Sequence, residues 1–209
     1  LTRAGTGTPD IANLMAIANL FQISVDELLS NEKSEKKQSN YIYESRTEYD
    51  IDGKKNFDIK LGGAYAVDLK AYHGEKIEVA MFSNVYKNLL ADYKVKIDDI
   101  KNRIDIDLNR FNEASEADAK ESLVITIFIP VKYIGKIELS VNARTLNITD
   151  IENEHIEVNG KISEVTLQGN KSEIEIDSNL DMQISVLSHE GAIEINQLSA
   201  TSRLTIPAD

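Results

Sequence analysis

Cysteine is absent from this sequence, which excludes disulfides, thiol catalysis and thiolate metal sites. The absence fits a reducing cytoplasm, although many exported bacterial proteins also lack cysteine. Long hydrophobic runs are missing too. The longest, LVITIFIPV from Leu123 to Val131, has the length of a strand and runs into Pro130, well short of the roughly 20 apolar residues a spanning helix needs. Positive charge is the scarce sign: 23 lysines and arginines face 35 aspartates and glutamates, for a net charge of −12. So acidic a surface repels phosphates and argues against nucleic-acid binding by the bulk of the chain. Chemical signatures are equally thin. There is no nucleophile elbow, no phosphate loop and no G-x-G-x-x-G. His73, His155 and His189 sit beside turn residues in unrelated segments, without the spacing of a metal site. No catalytic residue, metal or cofactor is expected.

What remains is ordinary for a soluble globular protein: 209 residues, 42% hydrophobic and 28% charged, enough for one or two domains with a sizeable core. No signal peptide is visible, and Leu1 is not an initiator residue, which leaves room for an upstream segment.

The front of the chain reads as helix. Ile11, Leu14, Met15, Ile17, Ala18, Leu20 and Phe21 fall at spacings of three and four, giving one apolar stripe. Thr8 suits a cap, Pro9 the first helical position and Asp10 the positive end of the dipole. Ser24 and Glu27 have capping-box spacing before a second short helix, with Ile23 and Leu28 placed as a hydrophobic staple. Two helices this short are marginal alone, so they read either as the tail of something larger or as a pair packed on the following domain.

The segment TPDIANLMAIANLFQISVDELL resembles the last two helices of the lambda-repressor-like (Cro and Xre) helix-turn-helix domain. The resemblance covers about 25 residues. It implies that Leu1, Thr2 and Arg3 end the recognition helix, with Ala4 to Gly7 as the loop after it. Of this chain's residues only Arg3, Thr6 and Thr8 would then contact the DNA backbone. The base-reading helices would lie before Leu1, so the chain alone is not expected to bind an operator.

Residues 31–40, without a large apolar side chain, read as a solvated linker. From Tyr41 onward alternation of period two dominates, in FDIKL, AYAVDLKAY, KIEVAMF, YKVKID, RIDIDL and KIELSV. One short helix is expected within Asn84–Tyr93. The last third repeats: Ile-Glu-apolar triplets start at Ile137, Ile156, Ile174 and Ile193, in steps of 19, 18 and 19. A second triplet follows each, from Leu146, Val165, Ile184 and Leu204. A fixed step with two short strands per unit describes a solenoid of stacked coils. Glu138, Glu157, Glu175 and Glu194 would then form one outward acidic column, relieved by Lys136, Lys161, Lys171 and Arg203, by a cation or by solvent. Before Ile137 the repeat is poor, and the region reads as an irregular cap or a sandwich-like start. Asp105, Asp107, Asn109 and Glu116 have the spacing of a calcium loop, but Arg110 stands where the turn needs glycine and the flanking residues alternate as a strand.

Through this repeat and the stretch GGAYAVDLKAYHGEKIEVAM (Gly62–Met81), residues 41–209 resemble the bacterial "putative adhesin" family of unknown function, whose members are expected to be β-helices. Together these readings give a mainly β chain: residues 1–30 a small all-α helix-turn-helix remnant, 31–40 a linker, and 41–209 a β-solenoid. The leading expectation is a cytoplasmic bacterial transcription regulator of the Xre family. It would bind DNA through its complete N-terminal domain and use the β-region for sensing, homodimerisation or interaction, with no membrane partner and an unspecified effector. The alternative is a surface or envelope-associated β-helix with an adhesive or scaffolding role. Nothing organises the many carboxylates around a general base, so an enzyme is not expected.

Overall fold

The structure is a computed structural model in which residues 41–112 and 114–207 are described. The chain divides into two units, residues 1–39 and 40–209, and the account concerns the second. The expected helix pair of residues 1–30 and its DNA-contact candidates Arg3, Thr6 and Thr8 lie outside the described residues, as does the linker.

Alternating apolar and polar residues favour strands because successive side chains leave opposite faces. The described strands are β1 (Tyr43–Asp50), β2 (Lys55–Tyr72), β3 (Lys76–Ser83), β4 (Tyr93–Ile100), β5 (Arg103–Arg110), β6 (Val124–Pro130), β7 (Ile134–Thr149), β8 (Glu152–Gln168), β9 (Asn170–Asp177), β10 (Met182–Val186), β11 (His189–Glu190), β12 (Ile193–Asn196) and β13 (Ser202–Thr205). Two short helices interrupt them, α1 (Leu89–Asp92) and α2 (Glu116–Ser122). Within the expected Asn84–Tyr93 helix only α1 forms, capped by the Asn88 side chain. All thirteen strands belong to one sheet, ordered β1-β3-β6-β2-β7-β8-β10-β13, with β4-β5 branching from β2 and β9-β12 from β8.

The solenoid expected over 41–209 is therefore corrected to an open sheet of mixed direction. The repeat does place equivalent residues side by side: β7, β8, β9 and β12 pair in parallel, with Ile137, Ile156, Ile174 and Ile193 in register. That order does not extend through the domain. β1 pairs β3, β3 pairs β6 and β4 pairs β5 in antiparallel fashion. Of these pairs only β4 and β5 form a local hairpin; β1 with β3 and β3 with β6 pair across intervening strands, so the segments between β2 and β7 break the parallel order of the repeat.

The long strands β2, β7 and β8 each serve two halves. In β7 the buried positions run Ile137, Leu139, Val141, Ala143 and then shift parity to Leu146 and Ile148; in β8 they run Ile156, Val158, Ile162 and then Val165 and Leu167. A change of parity turns the strand's inner face, and the apolar residues of both halves join one core. The turn needs special backbone. Gly160 has φ +145°, and a Cβ there would lie 1.8 Å from the Val141 carbonyl oxygen, so only glycine fits. Gly62, in register with Val141 and so at the matching place in β2, has φ +68°, and beside it a Cβ on Gly63 would lie 2.7 Å from the Glu116 carbonyl oxygen. Gly63 of the GGAYAV stretch thus leaves the space against which α2 packs, while Gly62 faces the Arg110 side chain.

Candidate functional site

The outward carboxylates of the repeat stand in one row. Glu138 pairs across with Glu157, Glu157 with Glu175, and Glu175 with Glu194. The row is longer than the sequence repeat suggests. On the other side Glu138 is in register with Asp58, Asp58 with Asp105, and Asp105 with Asp98. Seven strands thus present seven carboxylates at neighbouring positions, roughly 4.8 Å apart at the backbone. Like charges so placed repel one another.

The first three acids answer that repulsion within their own strands. Lys60 Nζ lies 2.8 Å from Asp58, Arg103 Nη2 donates to Asp105 at 3.0 Å, and Lys96 donates to Asp98. Each cation sits two residues from its acid and therefore on the same face. These carboxylates hold Lys60, Lys96 and Arg103 above their ordinary pKa values, chiefly through the hydrogen bonds.

The four glutamates lack such partners among the described residues. Glu157 accepts from the Asn159 amide at 2.7 Å and Glu175 from the Asn196 amide at 2.9 Å. His155 Nε2 stands 3.8 Å from Glu175. The cations expected to relieve the column are turned elsewhere: Lys136 bridges Glu154 at 3.1 Å and Lys171 bridges Glu190 at 3.6 Å. Arg203 lies on β13, in register with Gln183. Lys161 lines an open groove of about 700 Å³ beside the row, together with Asn142, Asp177, Asn179, Asn196 and Leu198. Amides dominate this groove, with the aliphatic side chains of Ile195 and Leu198 beside them, which suits hydrogen bonding to a polar partner more than general acid–base work.

The strand junctions that hold the row are tied by side-chain amides. Asn170 is buried, donating to the Ile148 carbonyl at 2.8 Å and accepting from the Ile151 amide at 3.0 Å. Asn153 donates to the Gly135 carbonyl and accepts from Ser172. Glu116, on α2, accepts from Asn142 at 2.9 Å and lies 3.4 Å from Lys120. The Asn142 bond first, then Lys120, draws its carboxyl below the ordinary value.

Asp105, Asp107 and Asn109 lie in β5 and Glu116 in α2, so the calcium-loop spacing is split between a strand and a helix. Among the described residues no His, Asp or Glu cluster has metal-binding geometry. His73 is exposed. His189 is partly buried, both ring nitrogens covered and without a hydrogen-bond partner. Asp58, Asp98 and Asp105 were not among the expected site residues. The signal for Asp58 and Asp105 was present in Phe57-Asp58-Ile59 and Ile104-Asp105-Ile106, which share the apolar–acid–apolar triplet of the repeat, whereas Asp98 stands in Ile97-Asp98-Asp99 and does not.

Comparison with protein families gives no match, and neither does comparison with curated proteins. Solved structures do match. A putative cell adhesion protein from Clostridium sporogenes superimposes with a TM-score of 0.53 at 8% identity, over 79% of this chain and 99% of that one. Putative adhesins from Parabacteroides merdae and Bacteroides fragilis align over 78% and 79% of this chain and 95% and 96% of theirs, at 11% and 13% identity, with TM-scores of 0.29. The expectation of an Xre-type, DNA-binding transcription regulator is thereby corrected, since the fold matched is that of a putative cell adhesion protein. The fold of residues 41–207 is that of the Clostridium sporogenes protein.

Proposed function

We propose that this chain is an adhesive or scaffolding β-domain acting at a bacterial surface or envelope. The single observation that carries the reading is the shared fold with a putative cell adhesion protein, which this chain covers over nearly its whole length. The site is in keeping with it. Seven in-register carboxylates and an amide-lined groove offer broad polar contact to a partner, and the uncompensated glutamates favour a cationic one. Adhesion through such a face is electrostatic and weakens as salt rises.

Two measurements test the reading. Antibody against the chain should label intact cells of the source organism as strongly as permeabilised ones; labelling only after permeabilisation would refute surface display. Binding of the purified chain to isolated envelopes should weaken in the variant E138Q/E157Q/E175Q/E194Q. A control with four glutamates neutralised off the row, E44Q/E75Q/E121Q/E154Q, should bind as the wild type does. Equal loss in both would mean that net charge, not the row, mediates contact.

A further inference from the structure

The apolar rows beneath the carboxylates end unevenly. Ile174 and Ile176 are 1% and 0% exposed, whereas their register partners Ile193 and Ile195, on the edge strand β12, are only partly covered. At the opposite end of the same stack, β4 pairs with β5 alone among the described strands. Its inward residues Val95 and Ile97 are likewise only partly covered by the core. Among the described residues each edge therefore leaves one strand's backbone donors and acceptors and two aliphatic side chains short of a neighbouring strand.

The outward charge between the two inward side chains differs in sign at the two ends, with Asp98 lying beyond Ile97 on β4. β12 carries Glu194 between its two isoleucines, and β4 carries Lys96 between Val95 and Ile97. The Lys96 side chain is 56% exposed and its own acid, Asp98, is two residues away. Lysine on an edge strand ordinarily guards against pairing with another strand. It does not guard against a strand whose central residue is a glutamate.

From this we infer that the β12 edge of one copy receives the β4 edge of a second copy, continuing the sheet head to tail. Within the molecule β4 runs opposite to β5, while β5, β2, β7, β8, β9 and β12 all run the same way. A second copy stacked in the same orientation consequently brings β4 up antiparallel to β12. One alignment serves both faces: Val95 opposite Ile195, Lys96 opposite Glu194, and Ile97 opposite Ile193. The aliphatic pairs continue the inner rows, and Lys96 meets the last carboxylate of the outer one. The flanking pairs, Lys94 with Asn196 and Asp98 with Ala192, oppose no like charges. Because the two surfaces differ, the contact is heterologous and propagates. It goes beyond the adhesive reading and stands or falls apart from it, since surface display does not require self-association.

Sedimentation velocity of the whole 209-residue chain, over a range of concentration at low salt, tests the inference. The wild type should form species larger than a dimer that grow with concentration. K96E and E194K should each weaken association about tenfold or more, from a cross-strand attraction turned into repulsion. The double variant K96E/E194K should recover it, and an equimolar mixture of the two single variants should associate more strongly than either alone. Circular dichroism melts identify any variant that fails to fold, and recovery in the double variant keeps the test decisive. A monomer at every concentration would overturn the inference. So would a closed dimer indifferent to E194K, which would mean that β4 pairs with β4 instead.

Discussion

The early and late parts of the carboxylate row share one register and differ in how they bear it. On β4, β5 and β2, Asp98, Asp105 and Asp58 each hold a Lys or Arg two residues away. On β7, β8, β9 and β12, the glutamates meet amides, one imidazole and solvent. Backbone geometry cannot explain the contrast, because the same parallel pairing runs from β5 through β12. In the early part a cation two residues from each acid, Lys60, Arg103 or Lys96, bonds to it; in the late part Ser140, Asn159, Asp177 and Asn196 follow the glutamates at that spacing, and Lys136, two residues before Glu138, bridges Glu154 instead. A sheet can thus carry a row of like charge without local cations when the core beneath it is well filled. Here Ile137, Leu139, Ile156, Val158, Ile174 and Ile176 are no more than 1% exposed, and burying each contributes roughly 1.5–3 kcal/mol. Repulsion between neighbouring surface carboxylates costs several times less.

The comparison depends first on the junctions that keep both parts in one register. Gly160→Ala should have the largest effect, a loss of roughly 3 kcal/mol or more, because the added Cβ collides with the Val141 carbonyl at a backbone angle unsuited to L side chains. Denaturant unfolding measures it. Next comes Asn170→Ala, which leaves the buried Ile148 carbonyl and Ile151 amide without partners and should cost about 2–3 kcal/mol. Single charge changes come third and should carry opposite signs in the two parts. Glu157→Gln should stabilise by a few tenths of a kcal/mol, while Lys60→Gln should destabilise by a similar amount. Smallest is the pH effect of Glu116. Its folded pKa is depressed, so its contribution is present above the ordinary carboxylate range and is lost as pH falls through the folded value. With the side chain 39% exposed, screening keeps that contribution under about 1 kcal/mol. Glu116→Gln should flatten the acid limb of a plot of melting temperature against pH.

The late part was legible in the sequence because step, triplet and alternation agree there. Ile137, Ile156, Ile174 and Ile193 identify their own register, and the outward direction of each following glutamate comes with it. The early part was not, although Phe57-Asp58-Ile59 and Ile104-Asp105-Ile106 carry the same pattern. Between Phe57 and its partner Ile137 the chain makes the β4–β5 hairpin, two short helices and the antiparallel pair β3–β6, and no fixed step survives that detour. Extending the solenoid from the late repeat to all of 41–209 failed for the same reason. Helix α2 was missed despite the capping signal of Ser115, whose side chain accepts from the Asp118 amide. The cation partners were the least legible. Lys136 and Lys171 flank the row in sequence, but their long side chains reach Glu154 and Glu190 instead, a selection that strand register does not determine.

The most direct test compares melting temperatures of two multiple variants at low and high salt. E138Q/E157Q/E175Q/E194Q removes the uncompensated charges and should melt roughly 2–6 °C above the wild type, for about 1–2 kcal/mol of relieved repulsion. D58N/D98N/D105N removes compensated charges and should melt below it. In 1 M salt, where screening acts over about 3 Å, the two shifts should shrink together. A lower melting temperature for the glutamate variant, or shifts of the same sign in both, would contradict the division of the row into a paired and an unpaired part.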